Sequence, residues 1–144
     1  MSELRVDFYV IDDAGGNARL SLACKLAEKA YLATQSVLIW HTEPAELKAL
    51  DEMLWTFRDG SFVPHDIVST DTAAREAPIL LSAGPIPAGD LDLIINLAAG
   101  VPDFVAQSKR IIEIIDGDEG RRRAGRARWE AYRKRGVQPA SHNL

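Results

Sequence analysis

The sequence predicts an α/β fold in three layers around a mostly parallel sheet. Three observations carry that prediction. Short apolar runs alternate with segments of helical period from the start of the chain. The runs are continuously apolar, as strands buried on both faces require. Their order, strand, helix, strand, helix, is the one that right-handed crossovers turn into a parallel sheet, a Rossmann-like layout.

The elements follow in order. VDFYVI (6–11) reads as a buried strand ending at Asp12-Asp13 and the turn pair Gly15-Gly16. From Asn17, Leu20, Leu22, Ala23, Leu26, Ala27, Ala30 and Tyr31 recur at helical spacing. SVLIWH (36–41) is a second strand, and the segment from Glu43 through Leu47, Leu50, Leu54 and Trp55 is a second helix with an acidic first turn. The stretch WTFRDGSFVPHDI (55–67) is a loop dense in aromatics, in which Phe62 and Val63 can also enter the sheet as a short strand. PILLS (78–82) and LDLIINL (91–97) are two further strands joined by a Gly- and Pro-rich loop. Val101 to Ser108, with Pro102 early, fits a short helix. RIIEIID (110–116) is another strand, followed after Gly117-Asp118 by a basic helix. Residues 1–136 read as one domain and 137–144 as a loosely docked tail.

Composition bounds the function. At 144 residues, 47% apolar and 26% charged, the chain is an ordinary globular domain, long enough to bury its own core. The N-terminus does not read as a signal peptide and no apolar run approaches a membrane span, so a cytoplasmic protein with no membrane partner is expected. Cys24, the single cysteine, excludes an internal disulfide and falls in an apolar helical pattern, as a buried thiol would.

Charge is distributed unevenly. RRRAGRARWEAYRKR (121–135) holds eight Arg or Lys against one Glu, about +7, on a chain that totals −4, so the remainder carries about −11. Such a strip calls for an anionic partner. In helical phase Arg122, Arg126, Trp129 and Arg133 line one stripe, three guanidinium groups around one indole. That stripe is suited to carboxylates or phosphates with an apolar neighbour, unless Trp129 packs inward and the charges are merely solvated. The aromatic loop (Trp55, Phe57, Phe62, Val63, Pro64) is the other unusual feature, either an exposed association patch or a cover for the end of the sheet.

Catalytic signatures are sparse. The first turn is DDAGGN, without the glycine cradle of nucleotide-binding folds, and no phosphate-binding loop or nucleophile elbow occurs, so no cofactor is expected. Asp12 and Asp13 can hold a metal in a hydrolase, but turn and capping roles suit them better. His41, His65 and His142 lack ligand spacing, and a loop hydrogen bond is favoured for His65.

Four motifs, VDFYVIDD near the start, LDEMLWTFRDGSFVPH (50–65), DLIINL (92–97) and GRARWEAYRKRG (125–136), resemble, in order, the chi subunit family of the bacterial DNA polymerase III holoenzyme. The resemblance implies a Rossmann-like fold that binds no nucleotide and a noncatalytic accessory role. It implies binding of the acidic C-terminal tail of single-stranded DNA-binding protein, which ends in Pro-Phe with a free carboxylate, and its linkage to the clamp loader. By position, Arg122, Arg126 and Trp129, with Ile115 before the helix and Arg133 beyond, match the region that receives that tail. Trp55, Phe62 and Pro64 match a second surface, for a psi subunit or clamp-loader component or for a competing helicase. DNA would be contacted only indirectly. Glu130 departs from the family where a basic residue can occur, and Trp129 replaces a common Tyr. The alternatives are direct binding of single-stranded nucleic acid by the basic helix and, more remotely, a metal-dependent hydrolase.

Overall fold

The structure is a computed structural model describing residues 4–56, 63–68, 77–87 and 89–144. Its strands are β1 (Arg5–Val10), β2 (Val37–Trp40), β3 (His65–Ile67), β4 (Ile79–Ser82), β5 (Leu91–Asn96), β6 (Ser108–Ile115) and β7 (Ala140–Asn143). Among the described residues three helices join them: α1 (Asn17–Leu32), α2 (Pro44–Thr56) and α3 (Glu119–Lys134). The strands form one sheet in the order β3-β4-β2-β5-β6-β1-β7, and each pairing among them is parallel. The expected α/β, Rossmann-like three-layer fold is therefore present.

Strand alternation builds the two faces. Ile112 and Ile114 of β6, with Val37, Ile39, Leu93 and Ile95, meet the apolar stripes of α1 and α2 (Leu20, Ala23, Cys24, Ala27; Leu47, Leu50, Leu54). Val6 and Phe8 of β1, Ile94 of β5 and Ile111 of β6 share the opposite face with Tyr132 of α3. Cys24 is fully buried, and burial pushes its thiol up to about 12, so it is a packing residue at neutral pH.

Helix α2 begins at Pro44, whose missing N–H costs nothing in a first turn. The Glu43 N–H donates to Nδ1 of buried His41 (3.1 Å), whose Nε2 in turn meets Glu46. Glu46 also takes Arg19 of α1 at 3.1 Å, tying the first turns of both helices together.

Two sequence expectations are revised. The segment from Val101 to Ser108 forms only a single 3-10 turn, Val105–Gln107. Its apolar side chains are held by tertiary contacts instead, with Phe104 edge-on against Trp40 at 4.8 Å. The tail is not patternless, because Ala140–Asn143 pairs in register with Asp7–Val10 as the edge strand β7. Beyond the aromatic loop His65–Ile67 forms a short strand; Phe57 and Phe62, and with Phe62 the expectation of a Phe62-Val63 strand, lie outside the described residues.

Candidate functional site

Helix α3 is set down on the sheet by three buried positions, Gly125, Arg128 and Tyr132. Its N-terminus is capped by Asp118, which accepts from the Arg121 N–H at 2.9 Å, and Arg133 and Lys134 lie in the last turn, where cations suit the helix dipole. Two glycines permit the approach. A Cβ on Gly125 would stand 2.3 Å from Cδ1 of Ile115, so the helix rides directly over the end of β6. A Cβ on Gly117 would stand 2.4 Å from the Asp12 carbonyl oxygen, where the turn before α3 crosses the turn after β1.

The basic strip divides into buried and exposed groups. Arg128 enters the interior, where its Nε donates to Glu113 at 2.8 Å and a terminal nitrogen reaches the Ala99 carbonyl at 3.0 Å. Glu113, fully buried, also accepts from the Tyr132 hydroxyl (2.6 Å) and from Asn96 Nδ2 (2.9 Å). Burial pushes the Glu113 carboxyl up against the opposing pull of these donors, and burial followed by the Glu113 charge pushes the Tyr132 phenol up. Arg121 grips Asp116 through Nε (2.8 Å) and a terminal nitrogen (2.7 Å). Burial pushes Asp116 up, but the Arg121 bonds and the Asp118 N–H outweigh it and hold the carboxyl low. These two arginines are engaged by Glu113 and Asp116 and anchor the helix.

The remaining face of α3 borders an open cleft of about 740 Å³ at the carboxyl ends of β6, β1 and β7. Parallel α/β sheets characteristically bind ligands at that end. The helix side is Arg122, Arg126, Trp129 and Glu130; the sheet side is Phe8, Val10 and Ile115. Ser141 and Asn143 of β7 border it as well, and Asp12 lies at its margin. Trp129 is half-buried, its indole tilted against Phe8 with centroids 5.0 Å apart, so it both packs inward and lines the cleft. Arg122 is steadied by a 3.0 Å bond from Nε to the Asp116 carbonyl, whereas Arg126 is exposed. Four of the five residues expected for the tail, Ile115, Arg122, Arg126 and Trp129, thus border one cavity. Arg133 does not border it, and it pairs with Glu130 at 3.4 Å on the surface. Sequence reasoning missed Phe8, Val10, Ser141 and Asn143. Alternation along β1 groups Phe8 with Val10 without revealing which helix covers them, and ASHN carries no strand pattern.

The second expected surface lies at the opposite edge of the sheet. Trp55 at the end of α2 is 48% exposed and rests against the His65 ring (centroids 4.6 Å), while Pro64 is half-buried and Phe62 lies outside the described residues. His65 Nδ1 bonds the Val63 carbonyl at 2.7 Å, the loop role favoured for it. Asp13 accepts from the Gly15 N–H at 2.8 Å, closing the turn after β1. Among the described residues no group of three or more His, Cys, Asp or Glu is placed to hold a metal ion, and no helix is long and apolar enough to cross a membrane.

Residues 3–140 match the family described as DNA polymerase III chi subunit, HolC. The chain belongs to the DNA polymerase III chi subunit family. It is 39% identical over 140 residues to the DNA polymerase III subunit chi of Pseudomonas aeruginosa, covering 97% of this chain and 96% of that protein. The chi subunit of Haemophilus influenzae is 28% identical over 138 residues (95% of each chain), and that of Escherichia coli 24% over 133 (90% of each). Family membership fits a replication accessory subunit and agrees with the resemblance read from the four motifs.

Proposed function

We propose that this chi-family chain is a noncatalytic subunit of the DNA polymerase III holoenzyme that holds the acidic C-terminal tail of single-stranded DNA-binding protein and links it to the clamp loader. The observation that carries the reading is the cleft beside α3, in which two guanidinium groups border an apolar slot formed by Trp129, Phe8, Val10 and Ile115. A peptide ending in an aromatic residue with a free carboxylate presents the complementary pattern: the ring enters the slot, and Arg122 and Arg126 pair with the terminal and upstream carboxylates. Arg133 assists from outside the cleft as a source of field. Trp55, Pro64 and Phe62 serve a second partner, a psi subunit, a clamp-loader component or a competing helicase. Half-exposed Trp55 supports that assignment, and the account requires no cofactor.

Direct binding of single-stranded nucleic acid is the competing reading, supported by the exposed arginines of α3. Two observations disfavour it. Trp129 spends part of its indole on Phe8 instead of offering a free stacking platform, and the rest of the chain is acidic. Titration with the acidic tail peptide and, separately, with a naked oligonucleotide distinguishes the two. The peptide is expected to bind in the micromolar range, about −8 kcal/mol, weakening with salt, and the oligonucleotide to bind far more weakly. Tighter binding of the oligonucleotide would reverse the assignment.

A further inference from the structure

We propose that β7 is a latch whose docking on β1 is thermodynamically linked to occupation of the cleft, with His142 as the positioning residue that sets the linkage from the far face of the sheet. The inference rests on the acidic-peptide reading and adds to it a moving part.

The register shows how one strand serves both faces. Ser141 pairs with Phe8 and Asn143 with Val10, and these four border the cleft. Ala140 and His142, paired with Asp7 and Tyr9, fall on the other face. There His142 Nε2 lies 2.9 Å from Asp7 Oδ1 and the imidazole stacks on Tyr9, centroids 5.1 Å apart. Backbone pairing continues one residue further, the Leu144 N–H donating to the Val10 carbonyl at 2.9 Å. β7 has only β1 as a neighbour, is four residues long and is exposed at three of them. An edge with so little apolar burial opens at low cost, well below global unfolding. The His142 contacts add a side-chain hold on Asp7 and Tyr9 to the backbone pairing.

A peptide seated against α3 gains the Ser141 hydroxyl and the Asn143 amide only while β7 is docked. Binding then stabilises the strand, and stabilising the strand tightens binding by the same factor. His142 is a suitable residue to perturb, because Asp7 keeps Arg110 Nε (2.8 Å) and Arg5 Nε (3.0 Å) when the imidazole is removed, so no buried carboxylate is stranded.

The test uses the full chain and a synthetic acidic peptide ending in Pro-Phe. Amide hydrogen exchange at Ser141 to Leu144 is followed with and without peptide, and peptide affinity is measured for His142→Ala and for His142→Gln, whose amide can still donate to Asp7. The latch predicts slower exchange in β7 on binding, affinity reduced about five-fold in His142→Ala, and partial recovery in His142→Gln. Binding to the intact chain with no change in β7 exchange overturns the latch and leaves the function standing, whether or not His142→Ala folds. Failure of the intact chain to bind the peptide overturns both.

Discussion

Glu130 stands between Arg126 and Arg133 on the helix side of the cleft, so a carboxylate borders the slot meant for an acidic ligand. Its exposed pairing with Arg133 at 3.4 Å is worth little in itself. Glu130→Lys is therefore expected to leave stability within about 0.5 kcal/mol while tightening the acidic peptide several-fold at low salt, an advantage that shrinks as ionic strength rises. Arg126→Ala should do the reverse, weakening binding with little change in the melting temperature. Calorimetric titration at two salt concentrations checks both. Gly125→Ala tests the packing below. The added methyl meets Ile115, and the overpacking, roughly 1–3 kcal/mol, opposes a gain in helix propensity of about 1 kcal/mol. Net stability should change modestly while affinity drops, because the displaced group is Ile115 at the slot itself.

At the scale of elements, α3 is held by a buried ion pair and not by apolar contact alone. Removing the carboxylate in Glu113→Ala strands Arg128 and leaves the Tyr132 and Asn96 donors without their acceptor. A loss of about 3–5 kcal/mol is expected, read from the urea midpoint at unchanged slope. A cost under about 1 kcal/mol would mean that the pair does not set the seat of the helix. This is where sequence reasoning was least able to see. RIIEIID displays Glu113 inside an apolar strand, and the basic strip displays Arg128 inside a charged helix, but their pairing joins residues 15 apart through the tertiary fold. The stripe of Arg122, Arg126 and Trp129 was legible because helical period survives any packing. The strands β2, β4, β5 and β6 were legible because burial on both faces leaves a continuous apolar run. β7 was not, since an edge strand of Ala, Ser, His and Asn needs no apolar side chain once β1 supplies its hydrogen bonds.

Across the molecule, acid stability follows from carboxylates held low. Burial pushes Asp7 up, but the bonds from His142 and Arg110 outweigh it and leave its carboxyl below the ordinary 3.8. Asp116 is held low in the same sense by Arg121. At these two carboxyls the unfolded chain therefore binds more protons than the native one in this range. Stability is fully present above about pH 4, the unfolded carboxylate value, and is lost as pH falls through and below it. Denaturant melts between pH 6 and pH 2 should show that decline, and Arg110→Met should make it shallower, because Asp7 then loses a bond that holds its carboxyl low. The same distribution of charge confines the basic surface to one helix of an acidic body, which favours a short acidic segment over a long anionic polymer.

The proposed function requires that a ring and a carboxylate enter one slot together. The most direct measurement is calorimetric titration of the full chain with the tail peptide of single-stranded DNA-binding protein, beside the same peptide lacking its final Phe. The account predicts micromolar binding, about −8 kcal/mol, for the intact peptide and loss of nearly all of it for the truncated one. Equal binding of the two would contradict it, reducing the contact to nonspecific attraction between an acidic peptide and a basic helix.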